Sequence, residues 1–342
     1  MTKRRIWILV TGFALLAGCA LAAGFFFWGG EHAARGQSAK RPQSIPVAYS
    51  QGVLYFQYPG KNSVESYHVK NKKYQTLNAG KADSLFAFGS TLYYTGGDVL
   101  YSYRRDTGET SRLCACSLSG YQGAAMVFDA DSQSVYLFCN FVPNKKTSPE
   151  TAQSRLYRYV PSTGKLDLLF TWEGFQTVQA LRTEDSFFLT STDGSLLRLD
   201  SRGAVLEKVY GLNIRSIAVS ADNILFTSYA GETRFLQGLA AGPLLAESNL
   251  PKPASRGDFF YYASSRIVRT ETSEYCDGSP VLYRQNRITG KREEFRSSFT
   301  ESDFWIFEDV MVFYRPNDGL SFCFLEDERR TVQWVKESAD HA

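Results

Sequence analysis

The chain has 342 residues, 44% of them hydrophobic and 15% aromatic, enough apolar material for one large globular body or two ordinary domains. Its formal net charge is +3, and Lys3, Arg4 and Arg5 account for that excess, so the rest of the chain is balanced. A balanced body with no basic stripe lacks the footprint of phosphate-backbone recognition, and nucleic acid is not expected as a partner.

Residues 1–5 form a short basic head. Residues 6–28 carry no charge. At about 1.5 Å per residue, a helix of that length spans roughly 35 Å, enough to cross a hydrocarbon core of about 30 Å with some tilt. The Lys/Arg cluster before it belongs in the cytoplasm, which places the C-terminal body outside. Three readings of this segment are open. An uncleaved anchor is favoured, because the apolar run continues through Phe25, Phe26 and Phe27 to Trp28, where an interfacial aromatic belongs. Leu16-Ala17-Gly18-Cys19 is similar to a bacterial lipobox, with Cys19 as the lipidated residue. Ala20-Leu21-Ala22 fits a small-residue cleavage site. All three export the body. Residues 29–44 are polar after the first few positions and read as a flexible stalk. Residues 338–342 read as a frayed tail.

Between 45 and 337 a unit of about 43 residues recurs. Its second strand carries an apolar pair at Leu54-Tyr55, Leu92-Tyr93, Val135-Tyr136, Phe187-Phe188, Leu225-Phe226, Ile267-Val268 and Val312-Phe313. Each unit reads as four short strands. In the second unit they fall at 84–88, 91–95, 99–103 and 110–115. In the sixth they fall at 258–262, 266–271, 281–286 and 292–296. Tight polar turns separate first from second strands, as at Asp129-Ala130-Asp131 and Ser264-Ser265. Third and fourth strands are separated by Asp106-Thr107-Gly108, Ser162-Thr163-Gly164, Ser201-Arg202-Gly203 and Ile288-Thr289-Gly290, where glycine supplies a positive φ. Third strands alternate apolar and polar residues, as in Leu156-Tyr157-Arg158-Tyr159. A fixed period of this size means stacked units that bury a core between them. The predicted fold is all-β: a β-propeller of seven four-stranded blades behind one N-terminal transmembrane helix. Six or eight blades are the alternatives.

The segment from Leu156 through Pro161-Ser162-Thr163-Gly164-Lys165 is similar to the repeat of quinoprotein-type propellers, and Leu196-Leu197-Arg198-Leu199-Asp200 matches it in part. The Ser220-Ala221-Asp222-Asn223 turn resembles that of TolB-like blades. The likeness spans the whole repeat region at the level of blade grammar. It implies an extracytoplasmic propeller. The tryptophan that closes a quinoprotein repeat is mostly absent, so no cofactor ligand is carried over.

Long insertions fall between second and third strands at 140–154 and 273–280, and between units at 247–257. All three sites open on one face of a propeller disc, and loops on a rigid scaffold commonly carry binding residues. The candidates for a binding face are Lys145, Lys146, Arg256, Tyr275 and Asp277. Arg182, Arg215, Asp258 and Asp303 sit in or near first strands and are expected along the central channel.

Catalytic constellations are missing. The histidines are His32 in the stalk, His341 in the tail and His68 in a strand, too few for a triad or a histidine-rich metal site. Cys114, Cys116, Cys139, Cys276 and Cys323 form an odd set that cannot pair completely, and they read as small buried hydrophobes. The sequence therefore assigns no catalytic residue, no cofactor and no metal. It predicts a membrane-anchored binding module for a protein partner or an envelope glycan or peptide. A carboxylate-dependent hydrolase or lyase on the same face, or a structural subunit of an envelope complex, is the alternative.

Overall fold

The computed structural model describes residues 45–144, 151–221, 223–247, 252–269, 274–297, 299–327 and 331–335. The basic head, the apolar segment 6–28, Cys19 and the stalk lie outside them.

Seven antiparallel sheets of four strands follow one another along the described residues. Blade 1 holds β1 (Val47–Ser50), β2 (Val53–Phe56), β3 (Glu65–His68) and β4 (Lys73–Thr76). Blade 2 holds β5 (Ser84–Phe88), β6 (Thr91–Gly96), β7 (Val99–Arg104) and β8 (Glu109–Ala115). Blade 3 is longer, with β9 (Tyr121–Ala130), β10 (Val135–Pro143), β11 (Gln153–Val160) and β12 (Lys165–Glu173). Blade 4 has β13 (Thr177–Arg182), β14 (Ser186–Ser191), β15 (Leu196–Asp200) and β16 (Val205–Val209). Blade 5 has β17 (Ile214–Ser220), β18 (Asn223–Ser228), β19 (Glu232–Gln237) and β20 (Ala240–Glu247). Blade 6 has β21 (Ala254–Arg256), β22 (Phe259–Arg269), β23 (Glu274–Asn286) and β24 (Arg292–Arg296). Blade 7 ends the series with β25 (Asp303–Ile306), β26 (Val310–Arg315), β27 (Gly319–Phe324) and β28 (Gln333–Trp334).

First strands of successive blades lie side by side, so they are the innermost. Apolar side chains of each blade pack against the next. Blades 2 and 3 share a core of Leu100, Val127, Leu137, Cys139 and Phe141. Tyr136, Phe138, Leu156, Phe187 and Leu197 join blade 3 to blade 4. Each fully buried side chain of this size stabilises by about 1.5–3 kcal/mol.

A second bond system runs across the blade seams. A polar side chain of one blade satisfies the backbone in, or just before, the next blade's first strand. Gln57 Oε1 accepts from Ala82 N at 2.6 Å, and Ser84 Oγ accepts from Val127 N at 2.8 Å. Asn140 takes both backbone groups of Thr177, at 2.8 and 2.9 Å. Gln179 does the same to Ile217, at 3.0 and 2.9 Å. An inner strand has one edge facing the channel, so each such clamp satisfies donors and acceptors that the ladder leaves open.

The Thr-Gly turns share one design. Gly108, Gly164 and Gly290 have φ of 70°, 68° and 69°. Their N–H groups donate to the carbonyls of Arg104, Val160 and Asn286, at 2.8, 2.9 and 2.9 Å. The threonine before each glycine accepts from the N–H two residues on.

The strand positions match the sequence reading except in blade 6. There the predicted first and second strands, 258–262 and 266–271, are one strand, β22. Ser264-Ser265 is not a turn: Ser264 pairs with Val281 and Ser265 with Pro280, and a register shift follows before Ile267. Phe259 to Tyr262 is four aromatic residues in a row, which suits a central strand packed on both sides. The true first strand is the short β21, hidden in what reads as a loop. Phe260-Tyr261 is therefore the apolar pair at the heart of this blade's second strand.

Candidate functional site

The strand order gives the disc two distinct faces. One carries the connections between second and third strands and between blades; we refer to it as the loop face. The other carries the turns between first and second and between third and fourth strands, the turn face.

On the loop face two hairpins are long. β9 and β10 pair out to Tyr121 and Pro143, and β10 and β11 out to Phe141 and Gln153. β22 and β23 pair out to Arg269 and Glu274. Second strands outside blades 3 and 6 have four to six residues, whereas β10 has nine and β22 has 11; β22's partner β23 has 13. Tyr275 and Asp277, expected on a loop, are strand residues near the tip of the blade 6 hairpin. Lys145 and Lys146 lie outside the described residues. Between blades 6 and 7 the same face holds a buried carboxylate, Glu301, with a side chain 3% exposed. Arg296 pairs with it at 2.8 Å, Arg315 stands at 3.6 Å, and Thr300 N donates to it at 2.9 Å. The Arg296 guanidinium lies 4.6 Å from the centre of the Phe313 ring. Its charge is thus compensated from both sides of the blade 6–blade 7 seam, by Arg296 and Arg315.

Arg256 is not with the other candidates. It pairs with Phe259 at the β21–β22 turn, which places it on the turn face. There it lines a cavity of about 570 Å³ at the channel mouth, together with Tyr49, Ser50, Gln51, Phe86 to Gly89, and Ile306 to Glu308. Three turns between first and second strands, from blades 1, 2 and 7, meet Arg256 of blade 6. Ser50 Oγ donates to Gly89 O at 3.1 Å, and Gln51 Oε1 accepts from Arg105 at 2.7 Å, so the rim is held between blades. Burial, followed by the Asp309 and Glu308 carboxylates, pushes the Tyr49 phenol above its ordinary range, so it stays protonated. Sequence reasoning missed this site because its residues are spread over most of the chain; the ring closure brings them together.

Three of the four charges expected along the channel have partners within the blades. Arg182 ties blade 4 to blade 3: it reaches Asp129 at 2.9 Å and Asp131 at 3.0 Å, and lies 4.2 Å from the Tyr136 ring centre. Burial raises the Asp129 carboxyl against the pull of that arginine. Asp258 is in the turn after β21 and pairs with Arg287 at 2.7 Å. Asp303 is buried on β25 and accepts from Phe304 N. Arg215 lies on β17.

Cys116 and Cys139 are buried free thiols, Cys114 is half-buried, and Cys323 is buried. The Cys139 thiol, then burial, drives the Cys116 thiol far up, and burial pushes Cys114 up to about 12, so neither is a ready thiolate. No cluster of three or more potential metal ligands occurs among the described residues. His68 accepts from Asn71 N at 3.3 Å, a turn-closing role.

No protein-family model matches the chain, and no curated protein matches it. Solved structures match over most of its length. The β-propeller domain of the trilobed protease from Pyrococcus furiosus, described as having an open velcro topology, has a TM-score of 0.54 at 9% identity, over 86% of this chain and 97% of that one. PorZ of Porphyromonas gingivalis, a surface component of the type-IX secretion system, has 0.53 at 10% identity, over 86% of this chain and 38% of that one. The computationally designed Ika8 protein has 0.52 at 10% identity, over 82% and 96%. The chain is a β-propeller whose likeness to these proteins is one of fold.

Proposed function

We propose that this chain is a membrane-anchored, extracytoplasmic binding module whose loop face takes a protein partner. The observation that supports the reading most is the blade 6 hairpin, in which strand pairing runs well past the body of the sheet to Arg269 and Glu274. A hairpin extended in this way presents backbone edges and alternating side chains to a partner on a rigid base. Tyr275 and Asp277 near its tip, and Lys145 and Lys146 in the blade 3 connection, are the contact residues of this proposal. The fold is also used by a surface secretion-system component, PorZ, in keeping with such a role. Residues 6–28 serve as the uncleaved anchor, with the N-terminus cytoplasmic. An envelope glycan or peptide is the second class of partner for the same face.

The test is affinity purification of the full chain after crosslinking in cells, with two trimmed variants. One lacks residues 145–150, and the other has the β22–β23 hairpin shortened. A partner recovered with the parent chain and lost from both variants supports the reading, provided their circular dichroism is unchanged. Equal recovery from all three chains contradicts it. For the anchor, retention in the membrane fraction after carbonate wash is expected to survive Cys19→Ala; release by that change would instead identify a lipidated cysteine.

A further inference from the structure

The turn-face cavity has a chemistry of its own, separate from the loop face. Its walls are apolar: Phe86, Phe88, Ile306 and Phe307 line it, and Phe88 is 41% exposed. Phe88 ends the inner strand β5 and faces this concave space. Two opposite charges line the same cavity, Arg256 from blade 6 and Glu308 from blade 7. Most arginines near the blade seams are neutralised, as with Arg182, Arg284, Arg287 and Arg296. Arg256 and Glu308 are different: among the described residues neither has an ion-pair partner, and they do not pair with each other. The cavity of about 570 Å³ falls within the range of about 300–1,000 Å³ typical of small-molecule sites.

These features select among ligands. A simple anion meets Glu308, and a simple cation meets Arg256, so each is opposed by one wall. A ligand bearing both charges satisfies both, and an apolar middle covers the rings. We propose that the channel mouth binds a short apolar peptide with free termini. Its carboxylate is taken by Arg256 and its ammonium group by Glu308, with its side chains against Phe86, Phe88, Ile306 and Phe307. The guanidinium fork suits a carboxylate, and the aromatic walls suit apolar side chains and the ammonium group alike.

The experiment is titration calorimetry of the full chain in detergent with the dipeptide phenylalanyl-phenylalanine. The N-acetylated and C-amidated forms serve as controls, and Arg256→Gln and Glu308→Gln as variants. Both residues are exposed, so the variants should keep the parent fold, with thermal melting as the check. Saturable binding is expected, with affinity falling tenfold or more when either terminus is blocked. Arg256→Gln should abolish the penalty of C-amidation, and Glu308→Gln the penalty of N-acetylation. Absence of binding overturns the proposal. So does binding that is indifferent to the blocked termini or to both variants. Trimming the loop-face hairpins should leave this binding unchanged, which keeps the outcome independent of the protein-partner reading.

Discussion

Single side chains hold the blades in register. Gln179 satisfies both the N–H and the C=O of Ile217 in the next blade. Removing it leaves two inner-strand backbone groups without partners, and each such loss costs about 1–3 kcal/mol. Gln179→Ala is therefore expected to lower unfolding stability by about 2 kcal/mol or more, measured by urea denaturation, whereas exposed Gln133→Ala should change little. Asp193 caps the turn between β14 and β15. Burial opposes its ionisation, but hydrogen bonds from Ser191 and Ser195 outweigh that and hold its carboxyl below the usual range. A carboxyl depressed in the folded state stabilises above its unfolded pKa of about 3.9, and that contribution is lost as pH falls through the folded value. Stability of the parent chain should decline on acidification below about pH 4, and Asp193→Asn should flatten that part of the profile. Neither role is legible from sequence. A glutamine at the second position after Thr177 looks like any other strand residue, and its partner lies in another unit.

Elements were legible where the local chemistry repeats. The Thr-Gly turns could be placed because the same glycine φ and the same threonine acceptor recur in three blades. Blade 6 was not legible. Its first strand has only three residues, and its second is so aromatic that it reads as two strands. The period survives this error because neighbouring blades fix the spacing, but the face assigned to Arg256 does not. Gly203 shows how tightly elements of adjacent blades approach. Its φ is +89°, and a Cβ there would lie 2.3 Å from the Leu169 carbonyl oxygen in the outer strand of blade 3. Gly203→Ala meets both backbone strain and a backbone clash, and a loss of about 2 kcal/mol or more is expected. Thermal melting of that variant beside Gly164→Ala, where nothing stands within 4 Å, separates the clash from the strain.

At the scale of the molecule, the ring shows no strand exchange among the described residues. Blade 1 takes all four strands from the start of the repeat region and blade 7 all four from its end. Closure rests on side chains. Ile45, Val47, Leu54 and Phe56 form one core with Val310, Val312, Leu320 and Phe322, and Tyr67 stands 6.0 Å from Phe322. Leu320 N donates to Tyr58 Oη at 3.3 Å across the same seam. Phe322→Ala opens a cavity at this junction, and a cost of about 3–5 kcal/mol is expected in urea denaturation. Hydrogen exchange in that variant should rise first in blades 1 and 7, because Phe322 packs in the core that joins them. A sevenfold repeat read from apolar pairs could not reveal this closure, since it is set by side chains that lie far apart in the chain.

A disc that works through its loop face should meet its partner there and not on the turn face. The most direct measurement is photocrosslinking in cells from one blade at two positions: Tyr275, near the hairpin tip, and Ile288, in the turn on the opposite face and 67% exposed. A protein adduct is expected from a photoreactive residue at Tyr275 and none from Ile288. An adduct from Ile288 alone, or from neither position, would contradict this expectation.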